Sequence, residues 1–163
     1  MTYSKRLTPR WTLTAAEAFG ETGRKGDVGE EAVANFLESK GFTVMWHQST
    51  MSKQTAGIDI EFFKPGEHIW SCDVKHNITD DNTFGVYPNE WLLKSRSELI
   101  LHVSVKTGMI ASYNADRMRE YYYDCVLHNS GPKLNSAGRK NENFWIDIDS
   151  APDFVLKRNL ETT

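Results

Sequence analysis

The sequence predicts an α/β domain in which a central mixed β-sheet is flanked by helices. Three observations carry that prediction. Residues 27–41 bear the marks of a capped helix, residues 58–75 read as a β-hairpin, and the segments after them alternate strand, helix and strand. At 163 residues the chain is long enough for one domain with a real core and too short for two ordinary ones. We divide it into an N-terminal arm and short helix (1–25), a core (26–125), and a closing loop, strand and tail (126–163).

Residues 1–12 read as an arm, and Thr14 is placed to cap a short helix that the glycines at 20, 23 and 26 end. The next helix is better marked. Asp27 is a good N-cap with Glu30 at capping-box spacing, and Gly41 followed by Phe42 fits a Schellman stop. Val33, Ala34, Phe36 and Leu37 recur at helical spacing and define its buried stripe. Glu30 falls on that stripe, whereas Glu31 aligns with Asn35 and Glu38 on the solvated side. An inward-facing acid at a helix start has to meet a cap, a cation or a metal, and the capping box alone accounts for Glu30 without chemistry.

Phe42 to Trp46 reads as a strand, and a polar connection from His47 to Gly57 leads into the hairpin. Lys64-Pro65-Gly66-Glu67 is its turn, because proline presets φ and glycine accepts a positive one. Centring the hairpin on Gly66 sets Asp59 opposite Asp73 and Glu61 opposite Ser71. One face then collects Ile58, Ile60, Phe62, Trp70, Cys72 and Val74, and the other Asp59, Glu61, Phe63, Ile69, Ser71, Asp73 and Lys75. A one-residue slip would mix acids among the apolar groups, so pattern and turn agree on one register.

Beyond Lys75 we expect a polar loop from His76 to Val86, a helix from Asn89 to Ser97, and strands from Leu99 to Val105 and Met109 to Tyr113 joined at Thr107-Gly108. Asn114 caps a helix through about Tyr123, a long loop covers 130–143, Phe144 to Asp149 alternates as a late strand, and the tail beyond Pro152 is peripheral. Asp147 and Asp149 read as a water-facing strand edge. The tryptophans and tyrosines are expected mostly in the core, although Tyr121, Tyr122 and Tyr123 cannot all be buried on one helix.

Composition narrows the class. Hydrophobic residues make up 39% of the chain, and no apolar run approaches the roughly 20 residues needed to span a bilayer. The first residues lack the apolar segment of a secretory signal, so we expect a cytoplasmic protein with no membrane partner. Cys72 and Cys125 are in no metal-ligand spacing and read as reduced thiols. The five histidines show no zinc spacing and read as surface or satisfied residues, with His76 beside the hairpin's polar face. A net charge of −3 argues against a permanent nucleic-acid coat protein while allowing an enzyme with local basic patches and an acidic metal site. Such patches occur at Lys5, Arg6, Arg10, Arg24 and Lys25, and again at Lys133, Arg139 and Lys140.

Two facing carboxylates repel unless they share a cation or a proton. Hard oxygen ligands without cysteine or a histidine set favour Mg²⁺ or Mn²⁺. Lys75, two residues after Asp73 on the same face, is placed to orient or help deprotonate a water, and Glu61 is an outer partner. The plain alternative is a solvated hairpin face.

Glu30 in Gly26-Asp27-Val28-Gly29-Glu30, Asp59 in Gly57-Ile58-Asp59, and Asp73-Val74-Lys75 resemble the helix acid, first acid and acid-x-lysine of the PD-(D/E)XK nuclease superfamily. The resemblance spans residues 24–77 and implies a restriction-endonuclease-like αβββαβ core. Ile58 stands where the name-giving proline would, a position with no chemical role. The resemblance implies that Asp59, Asp73 and the Val74 backbone carbonyl bind Mg²⁺, with Mn²⁺ as substitute. It gives the attacking water to Lys75, and assistance to metal or water to Glu30. Arg24-Lys25-Gly26, Gly41-Phe42 and a Ser49-containing connection are also similar to archaeal-type Holliday-junction resolvases, which implies DNA recombination chemistry on branched DNA by a homodimer. By that likeness Arg24 and Lys25 contact DNA phosphates and Ser49 lies near the scissile one. The function expected is a divalent-metal-dependent endodeoxyribonuclease. The alternative is a non-catalytic nucleic-acid- or protein-binding module that keeps the fold.

Overall fold

The computed structural model describes residues 28–46, 57–128, 130–132 and 142–160. The expected N-terminal helix, the Asp27 cap, Arg24, Lys25, Ser49 and most of the 130–143 loop lie outside these residues.

The first described helix, α1, covers 28–39. Val33 and Ala34 are fully buried, Leu37 nearly so and Phe36 half-buried; Glu31 and Asn35 face water as expected, whereas Glu38, expected on that side, is half-buried. It ends in the expected Schellman motif. Gly41 takes φ +90°, its N–H reaches Glu38 O at 3.0 Å, and the Phe42 N–H reaches Leu37 O at 3.1 Å.

Eight strands follow: β1 (Thr43–Trp46), β2 (Ile60–Phe63), β3 (Trp70–Lys75), β4 (Thr83–Val86), β5 (Leu99–Ser104), β6 (Met109–Asn114), β7 (Phe144–Asp147) and β8 (Leu156–Asn159). Helix α2 (Ala115–His128) joins β6 to β7. Six strands form one sheet in the order β1-β2-β3-β5-β6-β8, and β4 pairs with β7 in a separate ribbon. Only β3 and β5 run parallel among these pairings, so the sheet is mixed. Among the described residues no helix is long and apolar enough to cross a membrane.

The hairpin register is the one the pattern dictates, with Ile60 opposite Cys72, Glu61 opposite Ser71 and Phe62 opposite Trp70. Its turn closes through the Glu67 N–H on Lys64 O at 3.0 Å, with Gly66 at φ +79°. Ile60, Phe62, Cys72 and Val74 pack with Val33, Ala34, Leu37, Val44, Leu101 and Val103 beneath α1. The opposite face buries Ile100, Ala111 and Tyr113 under α2 and the β4–β7 ribbon, through Met118, Tyr122, Phe84 and Phe144. Strand β3 therefore sends Cys72 and Val74 into one core and Asp73 and Lys75 toward the other side.

Several expectations are corrected. Trp70 is 36% exposed, because Phe62 takes its cover from Phe42 in an edge contact at 5.2 Å and Trp70 is left at the strand's turn end against His68. None of the four described tryptophans is fully buried. The segment read as a polar loop from His76 holds β4. In place of a helix from Asn89 to Ser97 there is one wide turn, Pro88–Leu92, closed by the Leu93 N–H on Pro88 O at 2.9 Å. Competing partners stop it: the Arg119 guanidinium takes the carbonyls of Leu92 and Ser95, and the Ser97 hydroxyl turns to Gly57 O. The late strand ends at Asp147, whose carboxylate caps a short turn at Ile148–Ser150, so Asp149 leaves the strand; both acids remain exposed. The tail, expected to be peripheral, packs Phe154 and Val155 against the core and supplies the exposed strand β8, the sheet's edge beside β6. Helix α2 starts at the expected Asn114 cap and runs to His128; Tyr122 is buried and Tyr123 is 56% exposed. Both cysteines are buried and free.

Candidate active site

Asp59 sits one residue before β2, at the mouth of the hairpin. Its N–H donates to Cys72 O at 2.9 Å, and its carboxylate Oδ2 accepts the Val74 N–H at 2.8 Å. The side chain thus replaces a main-chain acceptor where the ladder stops, which fixes the carboxylate over β3. Asp73 is 3% exposed on the same strand, and Lys75 Nζ lies 3.2 Å from its Oδ1. Glu30 reaches the group from the first turn of α1 and is 6% exposed.

The electrostatics tie the three acids together. Burial pushes the Asp59 carboxyl well above the usual carboxylate range, and the charges of Glu30 and Asp73 add to the rise; the Val74 N–H and Lys75 oppose it. Behind them, burial raises the Cys72 thiol, helped by Asp59, Asp73 and Glu30. All four residues expected from the sequence are therefore brought to one place by three separate elements. Glu61 is half-buried one residue into β2, and His76 packs against α1, its Cβ 3.0 Å from where a Cβ on Gly29 would be.

The structure adds residues that the sequence did not single out. Lys75 Nζ lies 4.8 Å from the centre of the Trp91 ring, a cation–π contact from the Pro88–Leu92 turn. Parallel pairing sets His102 beside Lys75. His102 is wholly buried and bonded at both nitrogens: Nδ1 to Asn77 Oδ1 at 2.5 Å and Nε2 to Tyr113 OH at 2.6 Å. Asn77 gives its amide hydrogens to Gly85 O, so its oxygen faces the ring, His102 carries its proton on Nδ1, and Tyr113 donates to Nε2. Burial, with Lys75 nearby, pushes the His102 pKa well down and keeps the ring neutral. This settles His102 as a satisfied histidine, and it makes a rigid wall behind Lys75.

Gly57 closes the remaining side. It has φ +76°, and a Cβ there would lie 2.9 Å from Ser95 Oγ and 3.3 Å from Asp73 Oδ2. Its carbonyl accepts Ser97 Oγ at 2.7 Å. Gly57→Ala is expected to cost about 1–3 kcal/mol from the positive φ alone, with the clash added, read as a lower urea midpoint. An unchanged midpoint would contradict this packing.

The carboxylates of Glu30, Asp59 and Asp73 suit Mg²⁺ or Mn²⁺ in hardness. Burial lifts the Asp59 pKa most, and the further rise from the Glu30 and Asp73 charges is what a divalent cation would relieve. Among the described residues no three histidine, cysteine, aspartate or glutamate side chains form a ready metal cluster, and the Lys75 ammonium supplies the positive charge beside Asp73. The fit lies in donor chemistry and charge.

No protein-family model and no curated protein matches the sequence. Among solved structures, a bacterial homing endonuclease, I-Ssp6803I, is similar at 12% identity over 78% of this chain and 75% of that one, with a TM-score of 0.48. That similarity is too distant to assign chemistry, which rests on the side chains described above.

Proposed function

We propose that this chain is a divalent-metal-dependent endodeoxyribonuclease. The observation that carries the reading is the convergence of Glu30, Asp59 and Asp73 with Lys75 from a helix start, a strand mouth and a neighbouring strand. Repelling acids held this way cost stability, and a non-catalytic binding module has no use for that cost. Asp59, Asp73 and the Val74 carbonyl would hold Mg²⁺, or Mn²⁺ in its place, with Glu30 beside them. A bound cation would supply Lewis-acid stabilisation to the phosphodiester and would make water a better nucleophile near neutral pH.

The chain's own residues do the rest. The Val74 N–H fixes the Asp59 carboxylate. Lys75, held by Asp73 and Trp91, orients the attacking water and stabilises charge on the phosphate. His102 and its two partners lock the wall behind it. The resemblance to junction resolvases supports branched DNA as substrate and a homodimer as the acting form, with Arg24, Lys25 and Ser49 on the DNA.

The test is cleavage of linear, supercoiled and four-way-junction DNA with Mg²⁺ or Mn²⁺, beside Asp73→Ala. Wild type should cut at least one substrate, and Asp73→Ala should lose at least about 10³-fold, as when a preorganised electrostatic contact is removed. Cleavage of none by wild type, or full activity in the variant, sinks the proposal.

A further inference from the structure

Beside the acids, the segment from Leu93 to Glu98 lines an open cleft of about 560 Å³ with Asp116 and Arg119. That volume is within the roughly 300–1,000 Å³ of ligand sites, yet the walls are hydroxyls and charges without an aromatic face. The charges do not cancel: Lys94, Arg96 and Arg119 face two carboxylates, Asp116 bound by Arg119 at 2.6 Å and Glu98 hydrogen-bonded to His68 at 2.7 Å. Lys94 and Arg96 are exposed, and among the described residues their side chains have neither hydrogen bond nor ion pair. Among the described residues the cleft thus offers two cations without an ion pair and a net positive lining.

The platform under them is built from behind. Arg119 Nε donates to Leu92 O at 2.9 Å and Nη2 to Ser95 O, which pins both ends of the turn carrying Lys94. Ser97 then ties the same segment to Gly57, whose Cβ position is 3.3 Å from Asp73 Oδ2. Gly57 therefore stands between the serines that line the cleft and Asp73 of the acid site.

We infer that this cleft carries the DNA backbone on one side of the scissile phosphate, with Lys94 and Arg96 as its phosphate contacts. The inference rests on the nuclease reading. The net positive lining favours an anion, the opening to solvent and the closeness to the acid site favour a polymer, and the absence of an aromatic residue from the lining favours the backbone over the bases.

The test is anisotropy titration of a short labelled DNA duplex with the full chain in EDTA across a salt series. Lys94→Gln/Arg96→Gln should weaken binding about tenfold or more at low salt and reduce the slope of log K against log salt by about 2, one phosphate per residue. Lys157→Gln/Arg158→Gln on β8, two strands beyond β5, loses the same charge and should change neither quantity. The inference is overturned if the first variant binds like wild type, or if the second weakens binding equally. If the first variant shows the expected slope change but wild type cuts no DNA with Mg²⁺ or Mn²⁺, the nuclease reading is removed and the cleft assignment stands. A wild type that binds no DNA removes both.

Discussion

Asp59→Asn is expected to give a protein that is more stable than wild type without metal and unable to cut DNA. The amide oxygen still accepts the Val74 N–H, so the hairpin mouth keeps its bond. What disappears is a buried carboxyl whose charged form is disfavoured first by desolvation and then by Glu30 and Asp73. The folded protein holds the Asp59 proton to higher pH than the unfolded chain does. Between those two values the folded state binds more protons, so stability falls as pH rises through that window. Removing the group should add about 0.5–2 kcal/mol at neutral pH in EDTA, roughly 1–8 °C in Tm, and the gain should shrink as pH falls toward the ordinary aspartate range. Mg²⁺ should raise the wild-type Tm by mass action and barely move that of the variant. Scanning calorimetry at two pH values with and without Mg²⁺ reads all three effects. A variant that is destabilised at neutral pH, or that gains as much from Mg²⁺ as wild type, would show that Asp59 is not the strained ligand proposed.

Much of this site was legible because its parts are specified locally. The turn Lys64–Glu67 and the alternation on either side fix one register, and that register alone sets Asp59 and Asp73 together. The helical stripe similarly turns Glu30 inward, and the Gly41-Phe42 pair stops α1 where expected. What escaped depends on partners distant in sequence. Nothing near Leu92 announces that Arg119, 27 residues later, will take its carbonyl, so the helix expected from Asn89 becomes one turn. The β4–β7 ribbon needs Phe84 to meet Ile146, and the wall behind Lys75 needs β3 to pair in parallel with β5. Trp70 fails for a related reason: alternation assigns a face, but only the packing of Phe42 decides how far cover extends along it.

Lys75→Met should move the same three quantities in a different combination. Methionine keeps an unbranched stem against Trp91 and deletes the ammonium that stands 3.2 Å from Asp73 Oδ1. Asp73 is buried, so losing that charge leaves it undercompensated. Without metal the variant should lose about 2–3 kcal/mol, less than the 3–5 of a fully buried pair because the Lys75 side chain is 25% exposed. In wild type the ammonium and a divalent cation compete for the same acids. The variant should consequently bind Mg²⁺ more tightly than wild type, and saturating Mg²⁺ should restore much of the lost Tm. Cleavage should nevertheless fall about 10²–10⁴-fold, since tighter metal does not replace the group that serves the water. Asp59→Asn thus gains stability and loses metal response, whereas Lys75→Met loses stability and gains metal response, with both inactive. A solvated hairpin face predicts neither pattern: removing exposed charges there would shift Tm within about 0.5 kcal/mol and leave Mg²⁺ without effect. Calorimetric titration of Mg²⁺ into the two variants separates the cases, and weaker Mg²⁺ binding by Lys75→Met, or turnover equal to wild type, would end the assignment of Lys75 to the water.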